Sequence, residues 1–269
     1  MTAPLPSLYV PHGAPTFALH PGAAGAALKT QADALPRPRA IIIVSPHWQT
    51  ETATVGAADR LETIHDFTGF PDALYAIRYP ASGCREGAEV VAAALAAAGL
   101  DVRLDRQRGL DHGAWVPLRL MYPDADVPVI PLSLPHTATP ADAFRLGLAL
   151  APLTQRGFLV IGSGSLTHNL RDFQNAFHNG GADVGYVRAF ADWFASHLAA
   201  GDVEALLDYR RQAPEAARAH PSDEHLLPLF VALGAGGPAA NAHRFHSGID
   251  DYVIAMDAYA FRPSQGEQQ

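Results

Sequence analysis

The chain has 269 residues, which suits one α/β domain and leaves little room for two. Apolar residues make up 48% and charged residues only 17%, a composition that fills a large core and excludes general disorder. The formal charge is −8, so we expect no nucleic-acid partner and no membrane partner. A single cysteine, Cys84, excludes an internal disulfide framework and zinc sites built on paired cysteines. Histidine, the residue of metal binding and proton transfer, is unusually frequent at 13.

Targeting signals are not evident in the sequence. The first residues lack the charged region and apolar stretch of a signal peptide. The longest apolar run, residues 90–100, is far shorter than the roughly 20 residues that a bilayer requires. We therefore expect a cytoplasmic protein, with one catalytic domain over residues 1–262 and a flexible polar tail over residues 263–269. The sequence does not indicate the oligomeric state.

Short apolar segments alternate with helical ones along the chain. Strands are predicted at Leu8–Val10, Ala40–Val44, Thr52–Gly56, Val102–Leu104, Val127–Leu132, Phe158–Gly162 and Tyr252–Phe261. Helices are predicted at Gly22–Leu35, Glu86–Gly99, Ala114–Met121, Ala141–Gln155, Tyr186–Ala199 and Glu224–Gly234, and residues 234–242 read as a loop. Strands without polar alternation are typical of sheets covered on both faces. The pattern predicts an α/β fold: a single-domain three-layer α/β/α sandwich around a largely parallel mixed sheet.

Three histidines follow predicted strands directly. His12 follows the first strand, His47 the second and His168 the strand at Phe158–Gly162. Open parallel sheets bind ligands beyond the carboxyl ends of their strands, so these side chains are expected to meet at one edge. A single loop histidine is more often a surface or core residue than a ligand, but recurrence at one edge favours a shared site. Further candidates are His225 before the last helix and His112 in a glycine-bounded loop.

Imidazoles combined with oxygen donors suit iron, zinc, nickel or manganese. Two histidines and one further ligand would leave positions open on the metal for substrate. The third ligand is either His225 or its neighbour Glu224, and spacing alone does not choose between them. Asp111 and Asp223 are possible acceptors for ring N–H groups, which would fix the tautomers of the ligands.

Aromatic side chains lie near the histidine loops and would suit a flat ring substrate. They are Trp48, Trp115, Phe67, Phe70 and Tyr75. Two other motifs are excluded at residues 162–167. The segment begins like a dinucleotide-binding fingerprint but has Thr167 at its sixth position, and it lacks the G-x-S-x-G spacing of a nucleophile elbow.

Seven short motifs, each built around a histidine, proline or acidic residue, resemble one family when they are read together. They are PHGAP (11–15), SPHW (45–48), TIHDFTGFP (63–71), LDHGAW (110–115), MYPDAD (121–126), LTHNL (166–170) and HPSDEH (220–225). In this order they resemble the class III extradiol ring-cleavage dioxygenases, specifically the 4,5-DOPA dioxygenase branch. The resemblance spans nearly the whole chain. It implies a single α/β domain with a mononuclear non-haem iron, although zinc is also possible in the isolated protein.

The resemblance also implies residue roles. His12, His47 and His225 match the metal ligands, with Glu224 or His168 as alternatives. His168 matches the acid/base histidine, and His112 matches a histidine that touches the substrate or bound oxygen. Substrate-binding roles are expected for His65, Trp48 and Phe67. The implied reaction is Fe(II)-dependent opening of a catechol, such as 4,5-DOPA, by O₂.

Two other classes of protein remain compatible with the same histidines. A zinc hydrolase could use them to lower the pKa of a bound water to roughly 7. The second class is a non-enzymatic peptide-binding protein of the Memo type, because Memo-like proteins belong to the same superfamily as these dioxygenases. Dependence on O₂ separates the dioxygenase from the hydrolase, and peptide binding without ring cleavage would indicate the third class.

Overall fold

The computed structural model describes residues 4–181 and 183–263. Its strands are β1 Ser7–Pro11, β2 Ala40–Thr50, β3 Ala53–Gly56, β4 Val102–Asp105, β5 Val129–Pro135, β6 Phe158–Gly164, β7 Asn241–His246, β8 Ile249–Asp250, β9 Ile254–Ala255 and β10 Ala258–Arg262. Its α-helices are α1 Gly22–Asp33, α2 Asp72–Tyr75, α3 Arg85–Ala97, α4 His112–Met121, α5 Pro140–Thr154, α6 Leu170–Asn179, α7 Gly185–Ala200, α8 Val203–Leu207, α9 Tyr209–Gln212, α10 Ala216–Ala219 and α11 Leu227–Ala235. A 3₁₀ turn spans Pro15–Ala18.

Eight of the strands form one mixed sheet in the order β4-β3-β5-β2-β6-β1-β10-β7. The four central strands, β5, β2, β6 and β1, are parallel to one another, and Ile42 is in register with Ile130 on one side and Val160 on the other. Strand β3 is antiparallel to β5, and β10 is antiparallel to both β1 and β7. Strands β8 and β9 pair separately.

Alternate residues of the central strands enter two different cores. Ile42 and Val160 face the core that includes residues of α3, α5, α7 and α11. Ile41 and Ile161 face the core that includes residues of α1 and α4. Because both faces are apolar, these strands carry no polar alternation, and the predicted three-layer α/β sandwich is confirmed.

The structure also contains elements that the sequence pattern does not predict. Helix α6 is missed because it has few apolar residues, and its clear signal is Asn169, whose side chain accepts from the Asp172 N–H as an N-cap. Strand β7 begins inside the segment predicted as a loop. The strand predicted at Tyr252–Phe261 is divided into β9 and β10.

The predicted tail falls almost wholly on residues 264–269, which lie outside the described residues, so its flexibility stays a prediction. Within the part of the chain that the structure describes, no helix combines the length and apolar character that crossing a bilayer demands. The parallel strands β1, β2 and β6 end at the same edge of the sheet, and the first three candidate histidines lie there.

Candidate metal centre

Five histidines from distant parts of the chain converge at the carboxyl edge of the central strands. The ring centroids of His12 and His47 are 5.2 Å apart, and those of His47 and His112 are 4.1 Å apart. The ring of His225 lies 5.4 Å from that of His12 and 5.0 Å from that of His47. His168 stacks on His225 at 3.5 Å. The convergence predicted from the strand ends is therefore present.

Each of the three predicted ligands is held by its backbone. His12 directly follows β1, and its N–H donates to the carbonyl of Gly164 in the neighbouring β6. His47 lies inside β2, within the register shift between Val44 and Gln49. His225 lies in the turn before α11, where its carbonyl accepts from Ser165. The end of β1, the register shift in β2 and the turn before α11 therefore position three rings that are far apart in sequence.

The hydrogen bonds around His12 define its tautomer. Its Nδ1 lies 3.1 Å from Ser163 Oγ, and the Ser163 hydroxyl donates to the carbonyl of Gly113. Because a hydroxyl has one hydrogen, Ser163 Oγ must accept from Nδ1–H of His12. The lone pair of His12 is therefore on Nε2, and this ring is only 1% exposed.

Asp66 faces both His47 and His112. Its Oδ2 lies 3.5 Å from His47 Nδ1, and its Oδ1 lies 3.0 Å from His112 Nδ1. The same Oδ1 accepts from the backbone N–H of His112 at 2.9 Å. Asp66 stands inside the motif TIHDFTGFP, but its contact with these two rings was not predicted.

The donor set fits a metal ion. Nε2 of His12 and Nε2 of His47 face each other at 3.3 Å. The lone pair of His12 Nε2 therefore faces His47 Nε2, and either an N–H of His47 or a cation can satisfy it. Two imidazole ligands at about 2.0–2.1 Å from one tetrahedral ion are roughly 3.3 Å apart. Nitrogen atoms of His12, His47 and His112 all lie within 4.8 Å of one another.

Glu224 lies beside His225. Its Oε1 is 3.3 Å from His225 Nδ1 and accepts from Ser222 Oγ at 3.0 Å. A carboxylate at Nδ1 is the usual partner of a histidine that binds metal through Nε2. Ligand atoms of His168, Glu224 and His225 also lie within 4.8 Å of one another. The contact favours His225 as the ligand and Glu224 as the residue that orients it.

His168 forms the boundary between the histidine cluster and an open cavity of about 700 Å³. The cavity is also lined by Arg171, Arg218, Ser222 and Glu224. Arg218 is already paired with Asp172 at 2.8 Å. One face of the His168 ring covers His225 while the residue borders a space large enough for a small molecule.

Burial dominates the electrostatics of the cluster. It lowers the pKa of His47 to about 4, with His112 adding repulsion, and lowers the pKa of His12 and of His225 well below the ordinary value. It also lowers the pKa of His168. Burial alone would raise the pKa of Asp66, but the hydrogen bonds from His112 lower it to about 2. His12, His47, His168 and His225 are therefore neutral imidazoles at neutral pH, and Asp66 is an ionised carboxylate.

The predicted substrate-binding residues lie in different surroundings. Phe67 meets the edge of His112 at 5.6 Å between ring centroids. His65 packs against Phe67 at 5.7 Å, while its Nε2 lies 3.1 Å from the carbonyl of Ile77. Trp48 is buried under the guanidinium of Arg108, 5.2 Å away. Phe67 is thus the member of this group in direct contact with the histidine cluster.

The two acidic residues named as possible acceptors for the histidine rings form their hydrogen bonds elsewhere. Asp111 accepts from Ser45 Oγ at 2.6 Å and from Arg108 at 2.8 Å, and its side chain caps α4. Asp223 accepts from Tyr209 at 2.7 Å and pairs with Arg210. Neither is among the hydrogen-bond partners of the clustered rings in residues 4–181 and 183–263, so the expectation for them is wrong. Ser163 and Glu224 are the partners of His12 and His225, and Asp66 lies close to the rings of His47 and His112.

Comparison with known proteins gives the family. The sequence profile described as the catalytic LigB subunit of aromatic ring-opening dioxygenase matches residues 23–256. A 4,5-DOPA dioxygenase extradiol of Beta vulgaris is 41% identical over 84% of this chain and 83% of its own length. The chain belongs to the LigB family of aromatic ring-opening dioxygenases.

Further relatives extend this assignment. The Escherichia coli K12 protein named 4,5-DOPA dioxygenase extradiol is 36% identical over 86% of this chain and 85% of its own length. A crystal structure of an uncharacterized Escherichia coli K12 protein superposes with a TM-score of 0.78 at 29% identity, covering 95% of this chain and 99% of the other. This LigB-family protein is an extradiol dioxygenase, and its histidine cluster suits the metal site of such an enzyme. Hydrolysis and peptide binding are not favoured by these relatives.

Proposed function

We propose that this enzyme opens a catechol ring by extradiol cleavage with O₂ in an Fe(II)-dependent reaction, and that its substrate is 4,5-DOPA or a related catechol. The observation that carries the proposal is the convergence of five histidines at one edge of the sheet. The names of the relatives from Beta vulgaris and Escherichia coli support the choice of substrate.

His12, His47 and His225 are the proposed metal ligands. Their rings are mutually 5.0–5.4 Å apart, and neighbouring oxygens at Ser163 and Glu224 favour lone pairs on Nε2 of His12 and His225. Bound Fe(II) would supply binding positions for the catechol oxygens and O₂ and would allow charge to pass between them. Zn(II) would suit the same nitrogen donors in the isolated protein.

His168 is the proposed acid/base residue. Burial lowers its pKa, so its ring is neutral at pH 7 and one ring nitrogen can accept a proton from a catechol hydroxyl. Its place between His225 and the cavity gives it access both to the metal ligands and to an incoming substrate. The protonated ring can then return the proton at the ring-opening stage.

His112 is proposed to contact the substrate or bound oxygen. Its ring is 4.1 Å from that of His47, and Phe67 covers its edge. An apolar aromatic side chain beside an imidazole suits a flat ring and limits water at the reacting atoms. His65 and Trp48 are proposed to line the substrate site together with Phe67 and His112.

The proposal is tested with an oxygen electrode and iron-reconstituted protein. The substrates are 4,5-DOPA, caffeate, protocatechuate and unsubstituted catechol, and the zinc-loaded protein serves as the control. We expect O₂ uptake in a one-to-one ratio with the catechol consumed, together with a ring-opened product of the DOPA reaction. Conversion of substrate under strict anaerobiosis, or no O₂ uptake with any catechol after iron loading, would contradict the proposal.

A further inference from the structure

His220 is a buried histidine to which the proposed function gives no role. It is 0% exposed, and its ring packs against Phe190 with 5.7 Å between the centroids. Its Nε2 lies 2.9 Å from the carbonyl oxygen of Leu166, two residues before His168. Arg210 donates to the backbone carbonyl of His220, which helps to fix its backbone. Because a carbonyl oxygen only accepts hydrogen bonds, Nε2 of His220 must carry the hydrogen.

The second ring nitrogen of His220 agrees with this tautomer. Its Nδ1 is buried and has no hydrogen-bond partner in residues 4–181 and 183–263. A hydrogen on Nδ1 would therefore be a buried donor left unsatisfied, which is costly. Burial also lowers the pKa of His220 to about 4, so the ring is neutral at pH 7. One nitrogen is thus the donor to the Leu166 carbonyl, and the other carries the lone pair.

Further hydrogen bonds join the same two parts of the chain. The N–H of His168 donates to the carbonyl of Ala219 at 2.9 Å. The side-chain amide of Asn169 donates to the carbonyl of Arg218 at 2.7 Å. The guanidinium of Arg218 in turn pairs with Asp172 at 2.8 Å. The end of α10 is therefore attached to the loop that carries His168 and to the first turn of α6.

This attachment holds His168 against a proposed metal ligand. The rings of His168 and His225 are 3.5 Å apart between centroids, with only 6° between their planes. The carbonyl of His225 accepts from the N–H of Ser165 at 3.0 Å, beside the Leu166 carbonyl that His220 binds. The loop before His168 is thus tied both to the turn that carries His225 and to His220. A ring held in this way keeps one orientation toward the cavity that His168 borders.

We propose that His220 is a positioning residue: its Nε2–H, bound to the carbonyl of Leu166, holds His168 in the orientation that acid/base catalysis needs. The contacts at Ala219 and Ser165 are made by the backbone and are open to any side chain, whereas the contact at Leu166 depends on the imidazole. The position of His168 follows from these hydrogen bonds alone, and the effect on turnover rests on the proposed function.

The first test is long-range ¹H–¹⁵N correlation NMR of uniformly ¹⁵N-labelled, metal-free protein at pH 8. We expect the Nε2–H form for His220, whose signals are assigned by their loss in His220→Leu. The ring protons of His168, assigned with His168→Ala, should be shifted upfield because they lie over the ring of His225. This shift should shrink in His220→Leu and be kept in His220→Gln, whose amide N–H can replace Nε2–H. An Nδ1–H form of His220, or equal His168 shifts in all three proteins, would overturn the proposal.

Turnover gives the second test, measured by O₂ uptake with iron-reconstituted protein. We expect kcat of His220→Leu to fall about 10–100-fold with KM unchanged, since misplacing a catalytic group by about 1 Å can cost about 100-fold. His220→Gln should recover most of the lost turnover, and equal losses in the two variants would contradict a role for the donor. His197→Leu is the matched control and should leave kcat unchanged. His197 also lies 2.9 Å from a backbone carbonyl, that of Trp193, but on α7 and outside the histidine cluster.

The outcomes separate this inference from the proposed function. If the NMR results are as expected but the unaltered protein cleaves no catechol, the proposed function fails and the position assigned to His220 stands. If catechol is cleaved and His220→Leu retains full turnover, the proposal for His220 is overturned and the proposed function stands. Where circular dichroism shows that His220→Leu has not folded, His220→Asn takes its place in both tests, because its amide is one bond shorter than that of glutamine.

Discussion

At the level of single residues, the histidines of the site could be predicted from the sequence, but the side chains beside them could not. His12, His47 and His168 could be selected because each follows an apolar strand, a local signal. The side chains beside them carry no such signal: Ser163 is 151 positions from His12, and Asp66 is separated from His47 by a whole strand and loop. Which carboxylate or hydroxyl faces a ring depends on three-dimensional packing, so the partners could not be predicted from spacing.

Replacing His168 tests its role as acid or base. In His168→Ala we expect the metal content to be retained while turnover falls by about 10²-fold or more, the usual range for loss of a general acid or base. Metal content is measured by atomic emission and turnover by O₂ uptake with iron-reconstituted protein. Parallel loss of metal and activity would identify His168 as a ligand instead.

The depressed pKa values predict how stability depends on pH. A histidine whose pKa is lowered on folding binds fewer protons in the folded than in the unfolded state, so acid favours unfolding below its ordinary value near 6.5. For His47 this loss extends from about pH 6.5 down to about pH 4, and His12 and His225 act in the same direction. Asp257, whose pKa burial raises to about 6 against the opposing effect of Arg244, acts in the opposite direction, but it is one group against several.

We therefore expect the free energy of unfolding of the metal-free protein to fall between pH 7 and pH 5. Urea denaturation at several pH values, followed by circular dichroism, measures this dependence. The variant His47→Gln should show a shallower slope over the same range. A stability that is constant or rises on acidification would contradict the assigned electrostatics.

Close packing between helix α4 and strand β2 positions part of the histidine cluster. Strand β2 was predicted to end at Val44, yet it continues to Thr50 through a register shift between Val44 and Gln49, and His47 lies within that shift. At the start of α4, Gly113 packs against this part of β2. A Cβ atom there would lie 2.3 Å from Ser45 Oγ and 2.8 Å from Cδ2 of His47.

Gly113→Ala should consequently displace His47 or Ser45. We expect a loss of about 1–3 kcal/mol in the free energy of unfolding, typical of overpacking, and weaker Zn(II) binding than in the unaltered protein. Gly181→Ala is the matched control, because a Cβ there meets no atom within 4 Å and its backbone needs no positive φ. Urea denaturation and chelator competition provide the two measurements. Equal behaviour of the two variants would show that the contact at Gly113 is unimportant.

At the scale of the whole molecule, the four central strands were the most predictable part of the fold because burial on both faces leaves an uninterrupted apolar run. The edge elements were less predictable. Strand β7 contains two histidines and an arginine among its six residues, and α6 has one buried residue, Ala176, so neither shows the pattern of a core element. The meeting of histidine rings from residue 12 to residue 225 depends on the order of the strands in the sheet, so no local sequence signal predicts it in full.

A ligand held by such distant residues should stabilise the entire fold. At a free metal concentration about 100 times the dissociation constant, binding adds roughly 2.7 kcal/mol, which corresponds to a rise of about 5–10 °C in Tm. Differential scanning calorimetry with and without Zn(II) measures the rise. His225→Asn should reduce it, and an unchanged rise in that variant would remove His225 from the proposed ligand set.

The pairing of β1 with β10 has a consequence for biosynthesis. Ser7 is in register with Phe261, so the strand that carries His12 gains its second neighbour only after residues near 260 have left the ribosome. His225 and its turn emerge late as well. During translation His12, His47 and His112 therefore emerge long before His225, so we expect the complete proposed ligand set to form only when most of the polypeptide has been synthesised.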